Sequence, residues 1–328
     1  MTLAYMTTDE RTTRLEKSMK LKSDMKQQEP FLQSRKLRIR TILFPILFMG
    51  LHWLVMNIAA LLYLAVFTVV TMSGHDISLF SFFEDQEFLS QILIEQYPII
   101  AVLYSLVLIP VYLVFLSLSR QRDPRVLLNA SLRSQHIWPA IAMMIGAMGL
   151  TNLWFALLTY LGDQFEYVNE QLQNYIEQAS AFTPSAGYIW LILGIVIFAP
   201  IAEELLFRGI IQGELRKAMP EWLAIIIQAV IFALFHMQPV QITYVIVPGL
   251  LLGVAYAWSR TIWVPIVMHI TFNFLGSVIP SVVGEDEVLS SIVIYSQLAF
   301  IFIGILAAVY FYMNRRPAKL VSVSPENG

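Results

Sequence analysis

Cysteine is absent from these 328 residues. That excludes disulfides, thiolate metal sites and a cysteine nucleophile, and it leaves the redox compartment open. Charge is scarce as well: 13% of residues are charged, against about 25% in soluble domains. No His-Glu-x-x-His helix occurs, so no standard zincin signature supports a metal. Residues 1–40 lack the short apolar core and small-residue cleavage site of a signal peptide. What the chain has instead is apolar length: 57% hydrophobic residues and a mean hydropathy of +0.66. Such a composition implies an all-α polytopic membrane protein. With a formal net charge of −2, no nucleic-acid partner is expected.

Windows of about 20 apolar residues fall near 43–72, 97–118, 137–160, 187–214, 222–239, 242–259, 263–283 and 288–313. About eight transmembrane helices are therefore expected, bundled around an intramembrane polar site. The first is long enough to tilt or to project beyond the bilayer. Residues 1–40 read as a polar cytosolic tail, with a short surface helix near 15–25. Arg35, Lys36, Arg38 and Arg40 are placed there to rest on anionic lipid. The remainder divides into 41–182 (three helices and loops), 183–284 (four further spans) and 285–328 (a last helix and tail).

Threaded alternately, these spans separate the charges. Lys and Arg lie in the tail, in the 119–136 loop, around 208–217, at Arg260 and after Met313. The intervening loops hold Asp76, Glu84, Asp85, Glu87 and Glu95, then Asp163, Glu166, Glu170 and Glu177, then Glu285, Asp286 and Glu287, with no basic residue. The positive-inside rule puts both termini in the cytosol.

Three polar clusters interrupt the apolar spans: Glu203-Glu204-x-x-x-Arg208, Phe232-x-x-x-His236 and His269-x-x-x-Asn273. Ionisable groups in a bilayer cost about 2.5–3.5 kcal/mol each on insertion scales, so they need partners and usually serve a purpose. Counted from the basic ends of their spans, Glu203 lies roughly 20 Å deep, His236 roughly 22 Å, and His269 and Asn273 roughly 14 and 20 Å. Residues four apart share a helix face, so His269 pairs with Asn273 and Glu204 with Arg208. Glu203, about 100° away from Glu204, is left for chemistry. Pro200 removes a backbone hydrogen bond just upstream of the carboxylates.

An apolar setting raises a carboxylate's pKa and a neighbouring cation lowers it. Glu203 is thus a candidate general base for activating water. His236 would orient that water or protonate the leaving amine. His269 and Asn273 would donate to the developing oxyanion. Another wiring makes Glu203, His236 and His269 ligands of one Zn²⁺. Plainer readings exist for each residue: Glu204–Arg208 as a structural bridge, Phe232 as packing, and His52, near Asn57, as a helix-packing hydrogen bonder. His75 and His136 read as loop or interface residues. Gly249 and Gly253 suit close helix contact.

The stretch Ala199-Pro200-Ile-Ala-Glu203-Glu204-Leu-Leu-Phe-Arg208-Gly209, with Phe232-x-x-x-His236 and Pro265-x-x-x-His269-x-x-x-Asn273, closely resembles the signature of the CAAX protease and bacteriocin-processing (CPBP, or Abi) family of intramembrane proteases. The resemblance covers about residues 187–280. It implies an eight-helix fold, a CPBP-type catalytic core over 183–284, and an endopeptidase acting within the bilayer, open to the cytosolic side. By motif, Glu203 would be the water-activating base, Glu204 its acidic neighbour and Arg208 the orienting cation, with His236, His269 and Asn273 completing the site. Both metal-dependent and metal-free mechanisms are ascribed to the family, so the cofactor reads as none or Zn. The implied partner is a membrane-embedded or lipidated peptide within a lipid bilayer. The style of the loops suggests a bacterial plasma membrane, where a prenylated substrate is not expected. Competing functions are a non-catalytic adaptor or bacteriocin-immunity protein using the same cavity, and a proton-relay transporter. No inverted repeat favours the latter.

Overall fold

The computed structural model describes residues 37–72, 86–122, 127–180 and 187–316. The expected surface helix near 15–25, most of the basic tail, His75, Asp76, Glu84 and Asp85 lie outside them. Long apolar runs leave the backbone no choice in hydrocarbon but to bond to itself, and helix is what forms. Ten helices result among the described residues: α1 (Ile39–Met72), α2 (Gln86–Glu95), α3 (Tyr97–Arg122), α4 (Ser134–Gly162), α5 (Glu166–Ser180), α6 (Tyr188–Ala218), α7 (Glu221–Phe235), α8 (Pro239–Ser259), α9 (Trp263–Val283) and α10 (Glu287–Met313).

Seven of these are long and apolar enough to cross a bilayer. The eighth apolar helix, α7, has 15 residues, or about 22 Å, which is short of the hydrocarbon thickness. The sequence windows ran it on to 239. It stops sooner because Met237 takes a left-handed φ of 53° and Pro239, which cannot extend a preceding helix, opens α8. At the other extreme α1 runs for 34 residues, about 51 Å, and does overshoot.

Cross-links between loops confirm that the helices alternate in direction. At the basic end Ala130 N donates to Arg260 O, Ile262 N to Leu128 O, and Arg316 N to Trp258 O. His136, read from sequence as a loop or interface residue, is buried there, with Nε2 3.0 Å from the Asn314 carbonyl and its ring stacked on Phe311. At the acidic end Tyr175 meets Tyr244 through their hydroxyls at 2.9 Å, and the Tyr188 hydroxyl donates to Ser281 O. Helices α4 and α10 pack closely. A Cβ on Gly149 would sit 2.3 Å from the Gln297 carbonyl oxygen, and one on Gly146 2.7 Å from that of Phe300. Only glycine lets these backbones approach so closely. Around α6 the core is built from Tyr104, Leu108, Tyr112 and Leu116 of α3 against Leu206, Phe207, Ile210 and Ile211.

Candidate active site

The acidic pair sits on a helix that changes pitch twice. Within α6, Leu191–Phe198 and Leu205–Ile211 are π-helical, and the α-helical turn Ala199–Glu204 lies between them. Wide turns of this kind cluster at functional sites. Here the cause is readable. The Ala199 N–H donates five residues back, to Gly194 O, and Pro200 has no N–H to give. Both usual donors therefore pass over the Ile195 carbonyl. A buried carbonyl needs a partner, and Asn273 Nδ2 supplies it at 2.8 Å. Proline in one motif thus creates the acceptor that the asparagine of another occupies, fastening α9 to α6.

Glu203 and Glu204 diverge as their 100° separation requires. Glu204 is fully buried, and its Oε1 accepts from Arg208 NH1 at 2.7 Å and from His269 Nδ1 at 2.7 Å. Arg208, also fully buried, donates further to Gly249 O at 3.1 Å and lies 4.6 Å from the centroid of the Phe232 ring. That carbonyl is reachable because position 249 has no side chain; a Cβ would be 3.1 Å from Phe232. Glu203 keeps 20% of its side chain exposed, with Oε2 3.7 Å from His269 Nε2. That separation is too long for a direct hydrogen bond.

Both imidazoles are oriented through Nδ1. His236 Nδ1 lies 2.9 Å from Phe232 O; a carbonyl only accepts, so Nδ1 carries the proton and Nε2 of the neutral ring is an acceptor. His269 Nδ1 faces the Glu204 carboxylate and likewise donates, so its Nε2 bears a proton only in the doubly protonated ring. Phe232 lies edge-on to both rings, with centroids at 4.9 Å from His236 and 5.8 Å from His269. It is a spacer shared by the three motifs and not mere filler.

Glu203, His236, His269 and Asn273 line one cavity of about 790 Å³. The far wall comes from outside the motifs: His52 and Trp53 of α1, Tyr97 and Tyr104 of α3, and Tyr175 of α5. Asn57, the neighbour expected for His52, instead donates to Trp53 O. His52 Nδ1 is 3.2 Å from the Tyr112 hydroxyl. The signal for this wall was present in the sequence. Tyr97, Tyr104 and Tyr112 recur at intervals of seven and eight, which is one helix face.

The cavity lies towards one end of the bundle. Its exposed lining residues include Ile176, Gln178, Ala179, Met237 and Pro280 at the end that carries the acidic loops, together with Gly276 of α9 and Trp53 midway along α1. Below Glu203, towards the basic end, Leu206, Phe207, Arg208, Ile210 and Ile211 are all fully buried and close the passage.

As ligating rings do, both histidines present Nε2 with Nδ1 held by an acceptor. Yet among the described residues no three His, Asp or Glu side chains are grouped closely enough to share an ion. The Glu203, His236 and His269 set does not form a Zn²⁺ site as it stands.

The segment that carries these residues resembles known proteins. Residues 185–275 match the Rce1-like family. Its description is Type II CAAX prenyl endopeptidase Rce1-like. The six motif residues Glu203, Glu204, Arg208, His236, His269 and Asn273 all fall in that segment, so the resemblance first carried by the three motifs holds there. The chain is also 35% identical over 77 residues to "Putative membrane peptidase YdiL" of Bacillus subtilis (strain 168), a match covering 24% of this chain. The chain spans about a third of the length of that curated relative, 32%. No solved structure matches. With seven bilayer-length apolar helices, the protein is an integral, multi-pass membrane protein.

Proposed function

We propose that this protein is an intramembrane endopeptidase that hydrolyses a peptide bond in a membrane-embedded or lipidated substrate, with Glu203 as the general base. The observation that carries this reading is the convergence of Glu203, His236, His269 and Asn273 on a single cavity, while Glu204 and Arg208 stay behind it as a buried pair.

A water in the cavity meets two acceptors, the Glu203 carboxylate and His236 Nε2. It donates one proton towards each, which turns an oxygen lone pair to the scissile carbonyl. Glu203 takes the first proton as the carbon–oxygen bond forms. Charge then develops on the carbonyl oxygen, where donors contribute about 3–4 kcal/mol each. In its doubly protonated form His269 offers Nε2–H, and Asn273 offers the second hydrogen of Nδ2, the first being bonded to Ile195. Collapse breaks the carbon–nitrogen bond, and the proton held by Glu203 passes to the leaving amine, directly or through His236. Glu204 acts through His269, fixing its tautomer and direction, and is a positioning residue.

Both termini are cytosolic in this reading, by the distribution of Lys and Arg, and the membrane is a bacterial plasma membrane. The test is comparative proteomics of membranes from cells with wild-type protein and with Glu203→Gln. A precursor that accumulates only with the variant, while the variant protein is present at normal level, is expected. If Glu203→Gln and His236→Ala both leave processing intact, the cavity serves binding and the protease reading fails.

A further inference from the structure

We infer that His52 of α1 binds the substrate: its Nε2–H, presented to the cavity from the far wall, donates a hydrogen bond to a backbone carbonyl of the bound peptide. This rests on the protease reading above and adds to it a substrate-binding residue from outside residues 185–275.

His52 is the third imidazole that lines the cavity, beside His236 and His269. It is only 2% exposed, and its ring is held by aromatic neighbours. Tyr104 lies 5.3 Å from it, centroid to centroid, and Phe235 lies 5.4 Å away, edge-on. Phe235 in turn meets Phe207 edge-on at 5.4 Å. The ring of α1 is thereby braced against the two helices, α6 and α7, that carry the first two motifs. A packing histidine needs one hydrogen bond, and His52 has it, with Nδ1 3.2 Å from the Tyr112 hydroxyl. What sets it apart is the state in which this leaves the other nitrogen.

The tautomer follows from the phenol. Tyr112 is fully buried, and among the described residues His52 is the one hydrogen-bond partner of its hydroxyl. A phenol that only accepted would bury its own hydrogen unpaired, at a cost of about 1–3 kcal/mol. Tyr112 therefore donates, Nδ1 accepts, and the proton of the neutral ring sits on Nε2. His236 and His269 are the reverse, because their Nδ1 atoms donate to Phe232 O and to Glu204. One wall thus presents acceptors and the far wall a donor. Tyr112 does not border the cavity, so the ring edge turned away from it, which bears Nε2, is the one His52 gives to the cavity. Among the described residues that Nε2 has no hydrogen-bond partner. Its neighbours in the lining, Trp53, Met56 and Phe235, offer no strong acceptor. A neutral N–H in an aromatic setting calls for a neutral acceptor, and every residue of a peptide brings one in its carbonyl oxygen. Such a bond would hold the substrate backbone against the far wall and leave the scissile carbonyl to the Glu203 side.

The test has two arms. Solid-state nitrogen NMR of the full-length protein in bilayers, with isotope-labelled histidine, reports which nitrogen of each neutral ring carries hydrogen. Tyr112→Phe identifies His52, whose Nδ1 alone loses a donor. A protonated Nε2 is expected, and a protonated Nδ1 overturns the inference. The second arm follows turnover of the precursor that accumulates with Glu203→Gln. His52→Leu should raise KM by about 3- to 10-fold at constant kcat, as loss of a contact made equally in the ground and transition states does. His52→Gln, whose amide N–H reaches the position of Nε2, should bring KM back to within about 2-fold of wild type. Should the leucine variant fail to fold, His52→Asn, whose amide reaches only as far as Nδ1, takes its place with the same expectation. A fall in kcat alone, no change, or a glutamine variant no better than leucine overturns the inference. Protonated Nδ1 with normal turnover sinks this inference and leaves Glu203 chemistry standing. Wild-type protein without turnover sinks the protease reading, and this inference with it, whichever nitrogen is protonated.

Discussion

Neutralising each of the two adjacent glutamates should produce opposite phenotypes, and the structure says by how much. Glu204→Gln keeps the shape but removes the charge that faces Arg208 NH1 and His269 Nδ1, each at 2.7 Å. Arg208 has no exposed surface; what remains to it is the Gly249 carbonyl and the face of Phe232. Breaking a buried ion pair by removing one partner costs about 3–5 kcal/mol. Because the glutamine oxygen still accepts, we expect the lower part of that range, about 3 kcal/mol. Glu203→Gln changes a partly exposed group with no arginine partner, so its cost should stay below about 1 kcal/mol. Activity should fall by about 10²–10⁴ on loss of the base. The assay is thermal unfolding of detergent-purified variants, followed by tryptophan fluorescence, beside turnover of the accumulating precursor. In a double-mutant cycle, Arg208→Met should recover part of the Glu204→Gln loss, with a coupling of about 1–3 kcal/mol. An unchanged unfolding midpoint for Glu204→Gln, or a larger loss for Glu203→Gln, would refute the division between structural and reacting carboxylate.

Gly194→Ala would bring a Cβ to 2.0 Å from the Pro98 carbonyl oxygen, so α3 and α6 must separate. A loss of about 1–3 kcal/mol or more, read as a lower unfolding midpoint, is expected. Asn273→Ala should strand the Ile195 carbonyl at about 1–3 kcal/mol and also remove an oxyanion donor, lowering both stability and kcat. Pro200→Ala restores an N–H that competes for that carbonyl; activity should fall with little loss of stability, and unaltered kcat would show that the proline has no part in placing Asn273. Chelator-treated protein should retain activity under the Glu203 mechanism; a loss restored only by Zn²⁺ would contradict it.

Much of the site was legible along the chain because helix periodicity is rigid. An interval of four residues places Arg208 over Glu204 and Asn273 over His269 whatever the rest of the protein does. Pro200 was visible as a break in hydrogen bonding, but what its missing N–H released was not. That the Ile195 carbonyl is claimed by Asn273, 78 residues away, depends on two π-helical segments and on how α9 lies against α6. The far wall was missed because His52, Tyr97 and Tyr104 each look like ordinary packing residues until α1 and α3 are brought to the cavity.

Composition and apolar run length thus determined, without coordinates, a multi-helix membrane protein, and residue spacing marked the acid and imidazole groups within its spans. These are properties of solvent partitioning and helix pitch, and both are local. Which ring nitrogen of each histidine is free, and that Asn273 claims the Ile195 carbonyl, were decided only by packing. They depend on side chains from distant helices filling one face and leaving the other unfilled.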